Sequence, residues 1–185
     1  MKILSSLSPR IFFGKNLPRL LTVFIVLVSM KSVPDEGKEY SVKAMFIYNF
    51  TKHIEWPSSE TTGVFRIGVI GRSEIYEALE TIATQKKVDG RSIELKMVEP
   101  EDNSFYQIIF VSKSQSHRVP ELARKYMGTG VLIISEECKH SEHGAAINLI
   151  TTDNRVRFEL NQSSVRNAGL KVSVALANLA IVVNP

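Results

Sequence analysis

Only one cysteine, Cys138, occurs in the 185 residues, so no disulfide can form within the chain and its core must hold it together unaided. No cysteine directly follows the N-terminal apolar run either, which excludes lipoprotein anchoring. Glycine and proline are scarce, at 10 and 7, which excludes collagen-like and low-complexity architectures. With 44% hydrophobic and 23% charged residues, the chain is not disordered. Long hydrophobic runs are missing too, which excludes a multi-span membrane protein. Acidic residues are absent from positions 1–33, which hold five basic ones, Lys2, Arg10, Lys15, Arg19 and Lys31. Removing those five from the net +4 leaves −1 for residues 34–185. A nucleic-acid-binding domain keeps its basic charge in the folded part, so no nucleic-acid partner is expected. The remaining residues suit one domain with one sizeable core.

The charge asymmetry marks a targeting segment. Basic residues precede the uncharged run from Leu20 to Met30 (LLTVFIVLVSM), and Lys31, Pro34, Asp35 and Glu36 follow it. A helix over this run would rise about 16 Å against a hydrocarbon core of about 30 Å. That length favours a secretory signal peptide over residues 1–33, with cleavage between Met30 and Val33; an uncleaved anchor is the alternative. Either way, residues 34–185 are expected outside the cytoplasm.

Apolar and aromatic residues at 42, 45, 46, 50, 53 and 54 have the spacing of one helix face, which predicts a helix over Tyr40–Ile54 stopped by Trp56-Pro57. Phe65–Gly71 reads as a buried strand, followed by a helix over Glu74–Ala83 with Ser73 as its cap. Arg91–Val98 alternates as a strand with one wet face, and Tyr106–Ser112 is a central strand covered on both faces. A helix over Val119–Met127 carries Pro120 in its first turn. A buried strand over Val131–Ser135 follows, then a hairpin, Ala145–Ile150 and Val156–Asn161, turning at Asp153-Asn154. A last helix is expected from Ser163 or Ser164 to about Val182, with Leu170, Val174, Ala177 and Leu179 inward and Gly169 allowing close packing. His53 reads as a partly buried packing residue. The sum is a single-domain α/β layered sandwich: a mostly parallel sheet, a C-terminal antiparallel hairpin and flanking helices.

Candidate chemistry is sparse. Cys138, His140 and His143 are of metal-ligating type, but C-x-H-x-x-H is not a common structural-zinc spacing, and a solvated loop between strands explains them better. Gly71 and Arg72 end a strand where open α/β sheets bind ligands, yet the segment matches neither the dinucleotide fingerprint nor the P-loop. Arg157 and Glu159 lie on the polar face of the hairpin, where either cross-strand ion pairs or a recognition surface would use them. No G-x-S-x-G elbow and no convergent catalytic set is present, so no enzymatic activity and no cofactor are expected.

Several segments together resemble the YfiR-like family of small periplasmic proteins. They are Lys43-Ala44-Met45-Phe46-Ile47-Tyr48-Asn49-Phe50-Thr51-Lys52 with Trp56-Pro57; Phe65 to Gly71; Gln107 to Ser112; Gly130 to Ser135; Ala146 to Leu149 with Arg155 to Asn161; and Gly169 to Ser173. They run in order over about residues 40 to 181. The aromatic segment ended by Trp-Pro is the most distinctive.

The resemblance implies an α/β fold, self-association as a possible homodimer, and a non-enzymatic regulator. The best-known member of the family represses an inner-membrane diguanylate cyclase by binding its periplasmic sensor domain, which lowers cyclic-di-GMP. That member carries paired cysteines whose disulfides bear on its regulation. With Cys138 alone, a disulfide switch within the monomer is impossible here, while an intermolecular bridge stays open. Tyr48, Lys52 and Trp56 are the candidate partner contacts. A different class of function is the alternative: a small-molecule-binding module with its ligand at the strand ends near Gly71 and Arg72, with Arg157 and Glu159 as further candidates.

Overall fold

The computed structural model describes residues 36–57, 62–139 and 144–183. The expected signal peptide lies outside them. Among the described residues no helix is long and apolar enough to cross a membrane.

The first helix, α1, spans Glu36–Phe50. It ends before Trp56-Pro57 because Thr51, Lys52 and His53 donate to carbonyls three residues back, a tightening turn. The Thr51 hydroxyl also caps the Tyr48 carbonyl at 2.7 Å. The chain is then drawn into a two-residue strand, β1 (Ile54–Glu55). The inward face of α1 is not the expected one. Lys43, Ala44, Ile47 and Phe50 are buried, whereas Val42 and Met45 are exposed. At 100° per residue the buried stripe is rotated by more than a quarter turn from the 42-45-46 stripe.

The main sheet contains β2 (Phe65–Ile70), β3 (Lys87–Val88), β4 (Arg91–Met97), β5 (Ile108–Val111), β6 (Leu132–Glu136), β7 (Ile147–Thr152), β8 (Arg155–Leu160) and, at the C-terminus, β10 (Ile181–Val182). The order is β10-β8-β7-β6-β5-β2-β4-β3. β4, β2, β5, β6 and β7 are mutually parallel, while β8 is antiparallel to β7 and β3 to β4. The expected mostly parallel sheet with an antiparallel hairpin is therefore present. Asp153 and Asn154 close that hairpin with φ of 52° and 57°, a two-residue turn whose twist matches the strands.

Helix α2 (Ile75–Gln85) follows β2 and buries Ile75, Leu79 and Ile82. A 3-10 turn (Lys113–Arg118) and α3 (Val119–Lys125) follow β5, with Pro120 in the first turn of α3 as expected. Helices α1 and α2 cover one sheet face, over Phe65, Ile67, Val69, Phe110, Leu149 and Phe158. The segment around α3 covers the other, over Ile109, Val111 and Ile133. β5 is buried throughout because both layers close over it.

The long C-terminal helix does not form. Instead α4 (Gln162–Asn167) is capped by the side chain of Asn161, which accepts from Ser164 N at 2.9 Å. Gly169 takes φ of +81°, which breaks the helix. Its role is this left-handed turn and not close packing, since a Cβ there would meet nothing nearer than 3.8 Å. Lys171–Val172 then forms β9, paired antiparallel with β1, and Ser173 caps a second short helix, α5 (Val174–Leu179). Leu170 is buried as expected, but Val174 and Leu179 point outward and Leu176 takes the inward position. His53 is half-buried, as expected; its Nδ1 lies 3.1 Å from Ser173 Oγ, holding β1 to the start of α5.

Candidate functional site

Two buried polar groups fix how the helical layer sits on the sheet. Lys43, on the inner face of α1, is only 2% exposed. It donates to Glu136 Oε1 at the end of β6 and to Glu39 Oε1 one turn back, both at 2.6 Å. Thr151 Oγ1 on β7 donates to the same Glu39 oxygen at 2.8 Å. Burial works against the Lys43 charge, but the hydrogen bonds to the two carboxylates overcome it and hold its pKa above the ordinary value. Glu39 is likewise opposed by burial and rescued by Lys43 and Thr151, which hold its carboxyl below the usual range. One ammonium thus ties α1 to the β6 and β7 ends.

Asn148 does the same for the chain after β6. Its Oδ1 accepts from Ser135 Oγ at 2.8 Å and from Cys138 N at 3.0 Å; its Nδ2 donates to Cys138 O at 3.1 Å and to Glu159 Oε2 at 2.8 Å. Asn148 and Glu159 are direct cross-strand partners. Glu159 is therefore committed to this network. Glu136 and Cys138 are buried, contrary to a wholly solvated loop, and the Cys138 thiol donates inward to Ser116 O at 3.7 Å. His140 and His143 lie outside the described residues. Among the described residues no cluster of three metal-ligating side chains exists.

At the carboxyl ends of β2, β4 and β5 lies a cleft of about 390 Å³ lined by Gly71, Arg72, Glu99, Gln115 and Arg118. It sits where the chain passes from one sheet face to the other, the switch point at which open α/β sheets bind ligands. Gly71 has φ of +82°, and a Cβ there would collide with Ser112 Oγ and lie 2.6 Å from Gln115 Cγ. Arg72 is exposed and makes no ion pair among the described residues. Arg118 is engaged by Glu101 at 2.8 Å, and that hydrogen bond holds the Glu101 carboxyl below its usual range. Tyr106, buried in the same core cluster as Ile70 and Val98, donates its hydroxyl to Asp102 at 3.0 Å; burial, with that carboxylate, pushes its pKa up to about 12.

The four strand-end candidates divide. Gly71 and Arg72 share the cleft, while Arg157 and Glu159 belong to β8, with β5, β6 and β7 between. The three partner-contact candidates divide as well. Trp56 is half-buried, stacked edge-on against Phe65 at 5.3 Å and donating to Gln107 O at 3.3 Å. Tyr48 donates to Lys87 O at 3.3 Å, and Lys52 lies over its ring at 4.6 Å. Both aromatics therefore tie α1 and the segment after it to the sheet layer.

The exposed part of α1 is its other flank. Val42 is 46% and Met45 43% exposed, with Phe46 partly covered beside them. Phe46 leans on Phe50 and Phe158 at 6.0 and 5.8 Å between ring centroids. Next to it stand the outward Leu179, Ile181 and Val182, at 75%, 43% and 45% exposed. Spacing assigns Val42 and Met45 to the core, and Lys43, in phase with Ile47 and Phe50, points the same way, because a lysine ordinarily marks a wet face.

These features define an α/β domain with a mostly parallel sheet covered by helices on both faces, an exposed apolar helix face and a polar cleft at its strand ends. The chain belongs to the YfiR/HmsC-like family, also designated DUF4154, whose family model matches residues 40–181. A search of curated proteins returned no match.

Proposed function

We propose that this domain is a periplasmic, non-enzymatic regulator that docks on the periplasmic sensor domain of an inner-membrane signalling protein, a diguanylate cyclase, and lowers cyclic-di-GMP. Family membership points to regulation of cyclic-di-GMP signalling. The observation that carries the docking step is the exposed apolar flank of α1, with Val42 and Met45 each more than two-fifths exposed, because large apolar side chains grouped in water mark interaction sites. Repression requires tighter binding to the inactive than to the active arrangement. A preference of about 100-fold takes evenly populated states to roughly 99:1. In a host carrying a membrane diguanylate cyclase with a periplasmic domain, deleting the gene raises cyclic-di-GMP several-fold and increases biofilm. Unchanged levels in such a strain end this reading.

A second reading rests on the strand-end cleft, where Arg72 makes no ion pair among the described residues. Here the domain binds a small anionic molecule at Gly71 and Arg72. A thermal-shift screen of small carboxylates and nucleotides would raise the melting temperature by several degrees in the wild type and not in Arg72→Ala. If no compound shifts the wild type, the cleft is not a ligand site.

A further inference from the structure

Three shallow hollows meet on the outer flank of α1. The first lies along Val42, Met45 and Phe46; the second lies between Val42 and Val156; the third runs from Phe46 and Val156 to Leu179 and Ile181. Val42 is common to the first and second, Phe46 to the first and third, and Val156 to the second and third. The hollows therefore form one continuous surface across α1, β8 and the end of α5. The strand β8 adds a free edge to it. β10 pairs only with Glu159 and Leu160, so among the described residues nothing pairs with Arg155 to Phe158 on that side.

The charge at the margin has one sign. Lys38 and Arg155 line the second hollow and Arg157 the third. Neither arginine makes an ion pair among the described residues. The acidic residue in the walls, Glu39, already accepts from Lys43 and Thr151. This is a local excess of positive charge in a domain whose residues 34–185 carry a net −1. An occupant that covers the apolar floor desolvates the margin as well, and a carboxylate opposite each arginine offsets that cost with charge-assisted hydrogen bonds. A basic occupant would face like charges instead.

We propose that this surface is the docking site for an acidic amphipathic segment of a partner protein, whose apolar side chains enter the hollows and whose carboxylates meet Arg155 and Arg157. The inference rests on the regulator reading for who the partner is, though not for the chemistry of its recognition. In that chemistry, Met45 and Leu179 supply apolar contact and the two arginines select the sign of charge.

Two synthetic peptides of about 16 residues that share one leucine face test the recognition directly, one carrying Glu and the other Lys at its polar positions. By fluorescence anisotropy against the full chain, the Glu peptide binds at least about tenfold more tightly than the Lys peptide, and added salt narrows the gap. Met45→Glu with Leu179→Glu abolishes binding. Arg155→Glu with Arg157→Glu reverses the preference. Thr84→Glu, on the exposed side of α2, changes nothing. All four positions altered in the first two variants are exposed, and unchanged thermal melts exclude misfolding as the cause. Equal binding of the two peptides, or binding of neither, overturns the proposal. So does sedimentation showing a wild-type dimer that the Met45 and Leu179 changes dissociate, which assigns the surface to a second copy. Flotation of the wild type with anionic phosphatidylglycerol vesicles, lost in the same variant, overturns it in favour of a membrane.

The cellular arm separates the two readings. If gene deletion leaves cyclic-di-GMP unchanged while the peptide preferences hold, the regulator reading fails and the surface stands. If deletion raises cyclic-di-GMP and the Met45 and Leu179 variant still represses fully, the surface fails and the regulator reading stands.

Discussion

Replacing Lys43 by Met destabilises the domain by about 3–5 kcal/mol, because it leaves the Glu136 carboxylate buried without its partner. Glu136 is 2% exposed and Lys43 reaches it at 2.6 Å. For a domain of this size each kcal/mol lowers the melting temperature by about 2–4 °C, so a fall of roughly 6–20 °C is expected by calorimetry. The double variant Lys43→Met with Glu136→Met recovers most of the loss, since apolar groups of similar volume replace a buried pair at little net cost. A single variant within about 1 kcal/mol of the wild type would refute this account. The pH dependence has a defined sign. Glu39 has its pKa depressed on folding, so its contribution is present above the unfolded value, about 4.3, and is lost as pH falls through the lower folded value. Lys43 has its pKa raised, so its contribution is present below the unfolded value, about 10.4, and is lost as pH rises through the higher folded value. The network therefore supports a plateau of stability from about pH 5 to about pH 10 in the wild type. That plateau is flattened at both ends in Lys43→Met.

Asn148→Ala is the second large effect, at about 2–4 kcal/mol. The change removes four hydrogen bonds at once and strands Ser135 Oγ and both backbone groups of Cys138 in a site where Asn148 is 1% exposed. Urea unfolding reads the loss as a lower midpoint with the slope unchanged. The loss is local as well as global. Cys138, 7% exposed in the wild type, loses the side chain that pins its backbone, and its thiol reacts with a water-soluble disulfide reagent about tenfold faster or more. An unchanged midpoint together with unchanged thiol reactivity would show that other contacts hold the turn after β6.

Strands with strong local patterns were legible. Phe65–Ile70, Ile108–Val111 and Leu132–Glu136 are apolar runs bounded by turn residues, and each is a central strand of the sheet. The hairpin was legible from Asp153-Asn154, because two residues at positive φ suit few side chains. The helix expected over 163–182 was not, because a serine cap and local spacing do not report what ends a helix. One glycine at +81° and the pairing of Ile54 with Val172, more than a hundred residues apart, divided that stretch into four elements.

The candidate surfaces were legible only in part. Gly71 and Arg72 fell in the strand-end cleft because a strand-to-helix turn is a local event with a known place in an α/β sheet. Tyr48 and Trp56 drew attention as aromatics, yet their rings are spent on Lys87, Phe65 and Gln107. The exposed flank of α1 has the spacing of a core face. In a helix where Val42, Met45, Phe46, Ile47 and Phe50 surround the axis, spacing does not say which side faces the sheet.

Residues read alone determined the chemical character of this protein. They gave a domain near charge neutrality once the N-terminal basic segment is set apart, no internal disulfide, alternating strand and helix patterns, and the motifs of its family. Those properties depend on composition and on neighbours a few positions away. Tertiary structure alone decided which face of α1 is wet. That choice depends on Lys43 finding Glu136, 93 residues later, at the end of β6. A buried lysine is tolerable only where its carboxylates converge, and turning Lys43 inward turns Val42 and Met45 outward.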